Sequence, residues 1–184
     1  LAGLARDGGL YVPEAWPTFS REKIASFAGM PYAQVAAEVL GAFAGDEISP
    51  ADMRAMCEEA YATFSHKAVV PMVQIGPQTF IAELFHGPSL AFKDVAMQIL
   101  ARLYDHLLGR QGRQQTILCA TSGDTGGAAV EAFRGAKNVK VVVMFPEGRI
   151  SEVQRRFMTT AEESNIACVA VNGTYCPMRM QKSG

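Results

Sequence analysis

The chain is poor in the residues that build metal sites, disulfide scaffolds and membrane spans. Its 184 residues include four cysteines, three histidines and one tryptophan. Cys57, Cys119, Cys168 and Cys176 are too far apart in sequence for a CxxC motif. A disulfide framework is not expected in a chain this long with so few cysteines. Cys119 and Cys168 fall in apolar runs, which predicts core thiols in a reducing, cytoplasmic compartment. His66, His86 and His106 are isolated from one another, so no metal site is expected. No apolar run reaches the roughly 18 residues of a membrane span, so no membrane partner is expected. Lys plus Arg number 17 and Asp plus Glu 18, for a net charge of −1. That balance lacks the basic excess with which proteins replace the counterions of nucleic acids. Neither a GxGxxG phrase nor a Walker loop is present, which weakens dinucleotide and NTP readings. There is no internal repeat, no low-complexity stretch, and no basic n-region followed by an apolar h-region at the start. Leu1 opens inside an apolar phrase, which points to a trimmed start.

What is present is a globular composition, with 49% hydrophobic and 19% charged residues, enough for one large domain or two small ones. The first part reads as helical. Ser20 is placed to cap a short helix over about 21–28, and Gly29 breaks it. Val35, Val39, Leu40 and Phe43 have helical spacing over 32–43. Ser49-Pro50-Ala51-Asp52 is a helix start, and Met53, Met56, Cys57, Ala60 and Phe64 follow on one face as core packing. Residues 69–73 and 79–85 read as short strands around a Gly76-Pro77 turn. From there helix and strand alternate. A helix over about 93–108 buries Val95, Ile99, Leu100, Leu103, Leu107 and Leu108. Strands follow at 116–121, 139–145 and 166–171, with helices to about 134 and over about 151–163 between them. Apolar strands separated by helices predict an α/β fold with an open, mainly parallel βαβ sheet behind a helical N-terminal region.

Two segments carry chemistry. Ser122-Gly123-Asp124-Thr125-Gly126-Gly127 follows the strand at 116–121 and opens a helix. Glycines allow a tight turn and close approach of a ligand, and unpaired N–H groups at the helix start favour an anion. Its place at the carboxyl end of a parallel strand is where open α/β sheets bind ligands. An ordinary βα turn with a capping serine is the competing reading. The second segment, 85–94, runs Phe-His-Gly-Pro-Ser-Leu-Ala-Phe-Lys-Asp. An apolar stretch and a helix start around Lys93 both favour the neutral amine that attacks carbonyls. A surface lysine with its charge in water is the alternative.

Segment 85–94 resembles the lysine motif of the threonine synthase family, pyridoxal-phosphate (PLP) enzymes of fold type II. Ala120-Thr121-Ser122-Gly123-Asp124-Thr125-Gly126 resembles that family's Ser-Gly-x-Thr-Gly loop. Residues 148–160, from Gly148-Arg149-Ile150-Ser151 to Met158-Thr159-Thr160, and Asp7-Gly8-Gly9-Leu10-Tyr11-Val12-Pro13 are similar to its bacterial and fungal branch. The blocks stand in the family's order over about 1–174.

The resemblance implies a PLP-dependent carbon–oxygen lyase acting on a phosphate ester. It converts the small-molecule substrate O-phospho-L-homoserine, with water, into L-threonine and phosphate, through a Lys93 Schiff base. Lys93 is implied as catalytic and cofactor-binding. Asp124 stands where related PLP enzymes carry an Asn facing the ring 3′-oxygen, and an Asp there contributes a different charge. Ser122, Gly123, Thr125, Gly126, Ser89 and His86 are implied on the substrate side, His86 either touching substrate or fixing its loop. Arg149, Arg155 and Arg156 are candidates for a phosphate clamp.

The division expected is a helical N-terminal domain at 1–70, the start of the lysine-bearing region at 71–112, and an open α/β subdomain at 113–184, incomplete at its C-terminus. Family members are longer, and the loop that cradles the PLP phosphate lies beyond this chain's span. The tail from Tyr175 departs from the family pattern, so a truncated chain is expected, with activity in doubt. A related PLP phospho-lyase and a non-catalytic fragment that packs with a partner remain the alternatives. Oligomeric state is left open.

Overall fold

The computed structural model describes residues 5–173; Cys176 and the tail from Tyr175 lie outside them. The described chain divides into two compact units, with the boundary between Glu59 and Ala60.

The first unit holds α1 (Arg21–Ser26), α2 (Tyr32–Ala44), a single 3-10 turn at Gly45–Glu47, and most of α3 (Pro50–Tyr61). Local chemistry sets its boundaries. Ser20 is extended and its side chain accepts the Lys23 N–H, which caps α1. Ser49 Oγ likewise accepts the Asp52 N–H at 3.1 Å and donates to the Asp52 carboxylate at 2.6 Å. Gly29 and Gly45 both take a positive φ where a helix ends. Lys23 ties α1 to α2 through an ion pair with Glu38 at 2.7 Å. The expected methionine stripe is buried, Met53, Met56 and Cys57 included. Burial pushes the Cys57 thiol up to about 11, so it is an inert packing group.

The second unit begins with a β-hairpin, β1 (Met72–Gly76) and β2 (Thr79–Ala82), whose antiparallel register slips between Gln74 and Gly76. Then come α4 (Asp94–Arg110), β3 (Gln115–Ala120), α5 (Asp124–Phe133), β4 (Val139–Pro146), α6 (Glu152–Thr159) and β5 (Ile166–Val171). Strands β3, β4 and β5 form a parallel sheet in that order, with Ile117 beside Val141 and Val143 beside Cys168. β4 is central, and Val139, Val141 and Val143 point into the core. Helix α5 packs on β4 and lies against both α4 and α6. The core combines Ala101 and Leu108 of α4, Val130 and Phe133 of α5, and Met158 of α6 with those valines. No described helix is long and apolar enough to cross a membrane.

Several expectations shift. The second hairpin strand ends at Ala82 rather than running to Phe85. Residues 69–71 are not strand: Val69 has a φ of 59° and is buried in a turn closed by its N–H to the His66 carbonyl. Helix α6 stops at Thr159, several residues early, with Thr160 as its C-cap. The buried face of α4 includes Asp94 and Gln98, while Leu100 is exposed. Polar residues thus occupy core-facing positions at the start of α4, where the chain's chemistry begins. Cys119 and Cys168 are half-buried rather than fully enclosed, and they pack against the core from the sheet.

Candidate active site

The strand-to-helix turn after β3 is built on Thr121. Its side chain is buried, and its Oγ1 accepts the N–H groups of Gly123 and Gly126, both at 3.0 Å. The Gly127 N–H bonds the Gly123 carbonyl. Two N–H groups expected to face a ligand are therefore satisfied inside the turn. Those of Ser122, Asp124 and Thr125 remain without a partner among the described residues. Gly123 has a φ of 142°, and a Cβ there would strike the Gln154 amide. Gly126 has a different reason to be glycine. A Cβ would stand 2.9 Å from Val143 Cγ1 and closer still to Thr121 and Met158. Gly126 is the point where α5 presses onto β4. We expect Gly126→Ala to lower stability by about 1–3 kcal/mol, the usual cost of overpacking a filled core, measured by the shift in urea midpoint.

The lysine segment is organised by Asp94. This residue is wholly buried, accepting the Ser89 N–H at 2.8 Å and the Ser89 hydroxyl at 2.6 Å. Burial pushes its carboxyl above the ordinary value, and hydrogen bonds from Ser89 and Leu90 oppose that rise. Gly87 lies so close to this carboxylate that a Cβ would overlap it. Leu90 adopts a φ of 62°, uncommon for a leucine, and stands 61% exposed. Asp94 therefore pins residues 87–90 as a rigid turn ahead of α4. The sequence reading placed Asp94 only at the front of the helix. Its partner lies five residues back, in a loop with no periodic signal.

Lys93 occupies the N-cap position of α4 but makes no side-chain cap bond. Its Nζ lies 4.5 Å from the centre of the Phe92 ring and 4.0 Å from Asp124 Oδ2. The two chemical segments, separate in sequence, thus meet at Lys93 and Asp124. Beside them is a cleft of about 240 Å³ lined by Ser89, Leu90 and Ala91 on one side and Gly123, Asp124 and Gly127 on another. Val153, Gln154 and Phe157 of α6 close it. Gln154 was not singled out from sequence. Its Nε2 donates to Asp124 Oδ1 at 2.7 Å.

The other candidates lie as follows. Ser122 is exposed, Thr125 is half-buried, and neither lines the cleft. His86 Nε2 donates to Glu83 at 2.8 Å, its ring lies against His66 and Phe85, and its carbonyl accepts from Ser65. It ties down the loop and does not line the cleft. Arg155 and Arg156 both bond Glu152, whose carboxyl they hold down at about 2. Their charge is engaged on their own helix.

The model of the threonine synthase N-terminus matches residues 1–61. A threonine synthase of Pseudomonas aeruginosa is 50% identical over 175 residues, covering 95% of this chain and 37% of the relative. The Schizosaccharomyces pombe threonine synthase is 37% identical over 184 residues, with 95% and 36% covered. Among solved structures, PLP-bound threonine synthase from Brucella melitensis superposes with a TM-score of 0.91 at 52% identity, covering 95% of this chain and 38% of that one. This chain carries a threonine synthase N-terminal domain at residues 1–61 and matches threonine synthases over about 37% of their length. Yeast threonine synthase superposes at a TM-score of 0.88 with 37% identity, over 95% of this chain and 37% of its own. The likeness to threonine synthases therefore extends through both units, well past the matched N-terminal model. The chain spans about 37% of the length of the curated relatives it matches.

Proposed function

We propose that this chain supplies the lysine-bearing part of a threonine synthase site. In that reading Lys93 holds PLP, and the site serves conversion of O-phospho-L-homoserine and water to L-threonine and phosphate. The observation that carries the reading is the meeting of Lys93 with Asp124 at 4.0 Å beside the cleft.

The residues present fit the cofactor. Lys93 is a half-exposed amine not spent on its helix. The adjoining cleft, which Asp124 lines and Lys93 does not, is apolar along Leu90, Val153 and Phe157. Lys93 would hold the cofactor's aldehyde carbon. When bound, PLP supplies the electron sink that loss of a Cα proton requires.

The chain's own residues account for the rest. Lys93 Nζ is tethered by a flexible four-carbon stem, so one amine can move a proton at more than one substrate carbon. The Asp124 carboxylate, 4.0 Å away, orients that amine. The N–H groups of Ser122, Asp124 and Thr125, at the start of α5, are donors suited to a substrate carboxylate. Ser89, clamped by Asp94, sets the wall on which the substrate rests. Free Cys57, Cys119 and Cys168 suit a reducing cytoplasm.

The test is titration of the chain with PLP, borohydride reduction and peptide mapping. We expect the reduced adduct on Lys93. Label spread over the lysines with no preference for Lys93 would overturn the reading.

A further inference from the structure

Helix α6 begins with a reciprocal cap. Ser151 Oγ accepts the Gln154 N–H at 3.2 Å, and Gln154 Oε1 accepts the Ser151 N–H at 3.1 Å. This second bond fixes the orientation of the glutamine amide. Its oxygen must face the Ser151 donor, so its nitrogen faces outward from the cap. That nitrogen meets Asp124 Oδ1 at 2.7 Å, with Gly123 packed beneath the amide. The other oxygen of the same carboxylate is the one 4.0 Å from Lys93. Asp124 is thus held at one oxygen and presented at the other.

We propose that Gln154 is a positioning residue. It locks the Asp124 carboxylate so that Oδ2 faces Lys93, and it couples the start of α6 to the reactive amine. The inference rests on Lys93 being that amine. Capping alone does not call for glutamine here, because glutamate closes the same box equally well. Only the amide can also donate to a carboxylate. Glutamate at this position would keep the cap and set a second negative charge against Asp124.

The experiment compares wild type, Gln154→Glu and the double variant Asp124→Asn/Gln154→Glu. The readout is the labelling rate of Lys93 by trinitrobenzenesulfonate at one neutral pH, followed by peptide mapping and scaled to the remaining lysines. A further carboxylate in a half-solvated site holds the ammonium form, so Q154E is expected to slow labelling about three- to tenfold. The double variant returns to a single carboxylate with an amide partner, and its rate is expected within about twofold of wild type. Unchanged labelling in Q154E overturns the proposal, as does slow labelling that Asp124→Asn does not rescue, the mark of a cap disturbed for other reasons. A second measurement needs no change at Gln154. The side-chain amide proton resonances of Gln154 are expected to move in Asp124→Asn, and resonances that stay in place overturn the bond itself. Neither readout uses PLP, so failure of cofactor capture and failure of this inference are separate results.

Discussion

Replacing Asp94 with alanine is expected to cost about 3 kcal/mol, roughly 10 °C in Tm for a unit of this size. Asp94 is buried and accepts both the N–H and the hydroxyl of Ser89. Alanine leaves that N–H inside the fold with no acceptor, a loss of about 1–3 kcal/mol, and removes two bonds to a charged group. It also frees Gly87, which is packed against the carboxylate, and removes the bonds that hold the turn around Leu90 with its positive φ.

Asp94→Asn is the informative companion. Its oxygen can accept the Ser89 N–H while its amide donates to the Ser89 hydroxyl, so it is expected to lose less than alanine. It also removes a titration. Burial raises the Asp94 carboxyl above its ordinary value. The native state therefore takes up a proton before the unfolded chain does. The contribution to stability is full below the unfolded value and is lost as pH rises through the raised native one. Urea unfolding of the three proteins, as pH rises from the ordinary carboxyl value, should show both variants gaining stability relative to wild type.

The second large effect is chemical. With Lys93→Ala, borohydride-fixed PLP is expected to fall to the background carried by the other lysines. Lys93→Arg should lose it as completely, although the positive charge beside Asp124 is kept. A guanidinium stays protonated and offers no neutral amine to a carbonyl. Loss in both variants, with the circular dichroism of wild type retained, separates nucleophilic chemistry from the ion pair. Retention of a specific adduct in either would place the reactive amine elsewhere.

The serine caps at 20 and 49 are short-range devices, and the helix starts read from them agree with the structure; the Ser151 capping box of α6 was not read from the sequence. The runs at 116–121, 139–145 and 166–171 read as strands because they are apolar, yet the helices cover one face of the sheet only, and Leu118 and Val169 on the other are 51% and 46% exposed. Val69 and Val70 misled for the same chemistry: β-branched residues look like strand, yet here Val69 takes a positive φ and is buried in a turn closed onto the His66 carbonyl. Lys93 and Asp124 could be picked individually from local motifs. What lay outside sequence reach was the wiring between segments. Thr121 takes two N–H groups of its own turn, Asp94 reaches back to Ser89, and Gln154 crosses to Asp124. Each bond joins residues that no periodicity relates, so only the folded chain reveals which polar groups are committed and which are left for a ligand.

The hairpin of β1 and β2 carries a colloidal hazard. Met72, Ile75, Phe80 and Ile81 are all at least 48% exposed, and no charged residue stands between Lys67 and Glu83. Such a ribbon has the composition of segments that stack into cross-β fibrils. Three features work against stacking. The strands have only five and four residues, the register slips before Gly76, and Pro71 and Pro77 stand at the ribbon's start and turn. Gatekeeping in this stretch of the molecule is therefore done by backbone irregularity instead of charge, and straightening that slip would remove a safeguard no side chain there replaces.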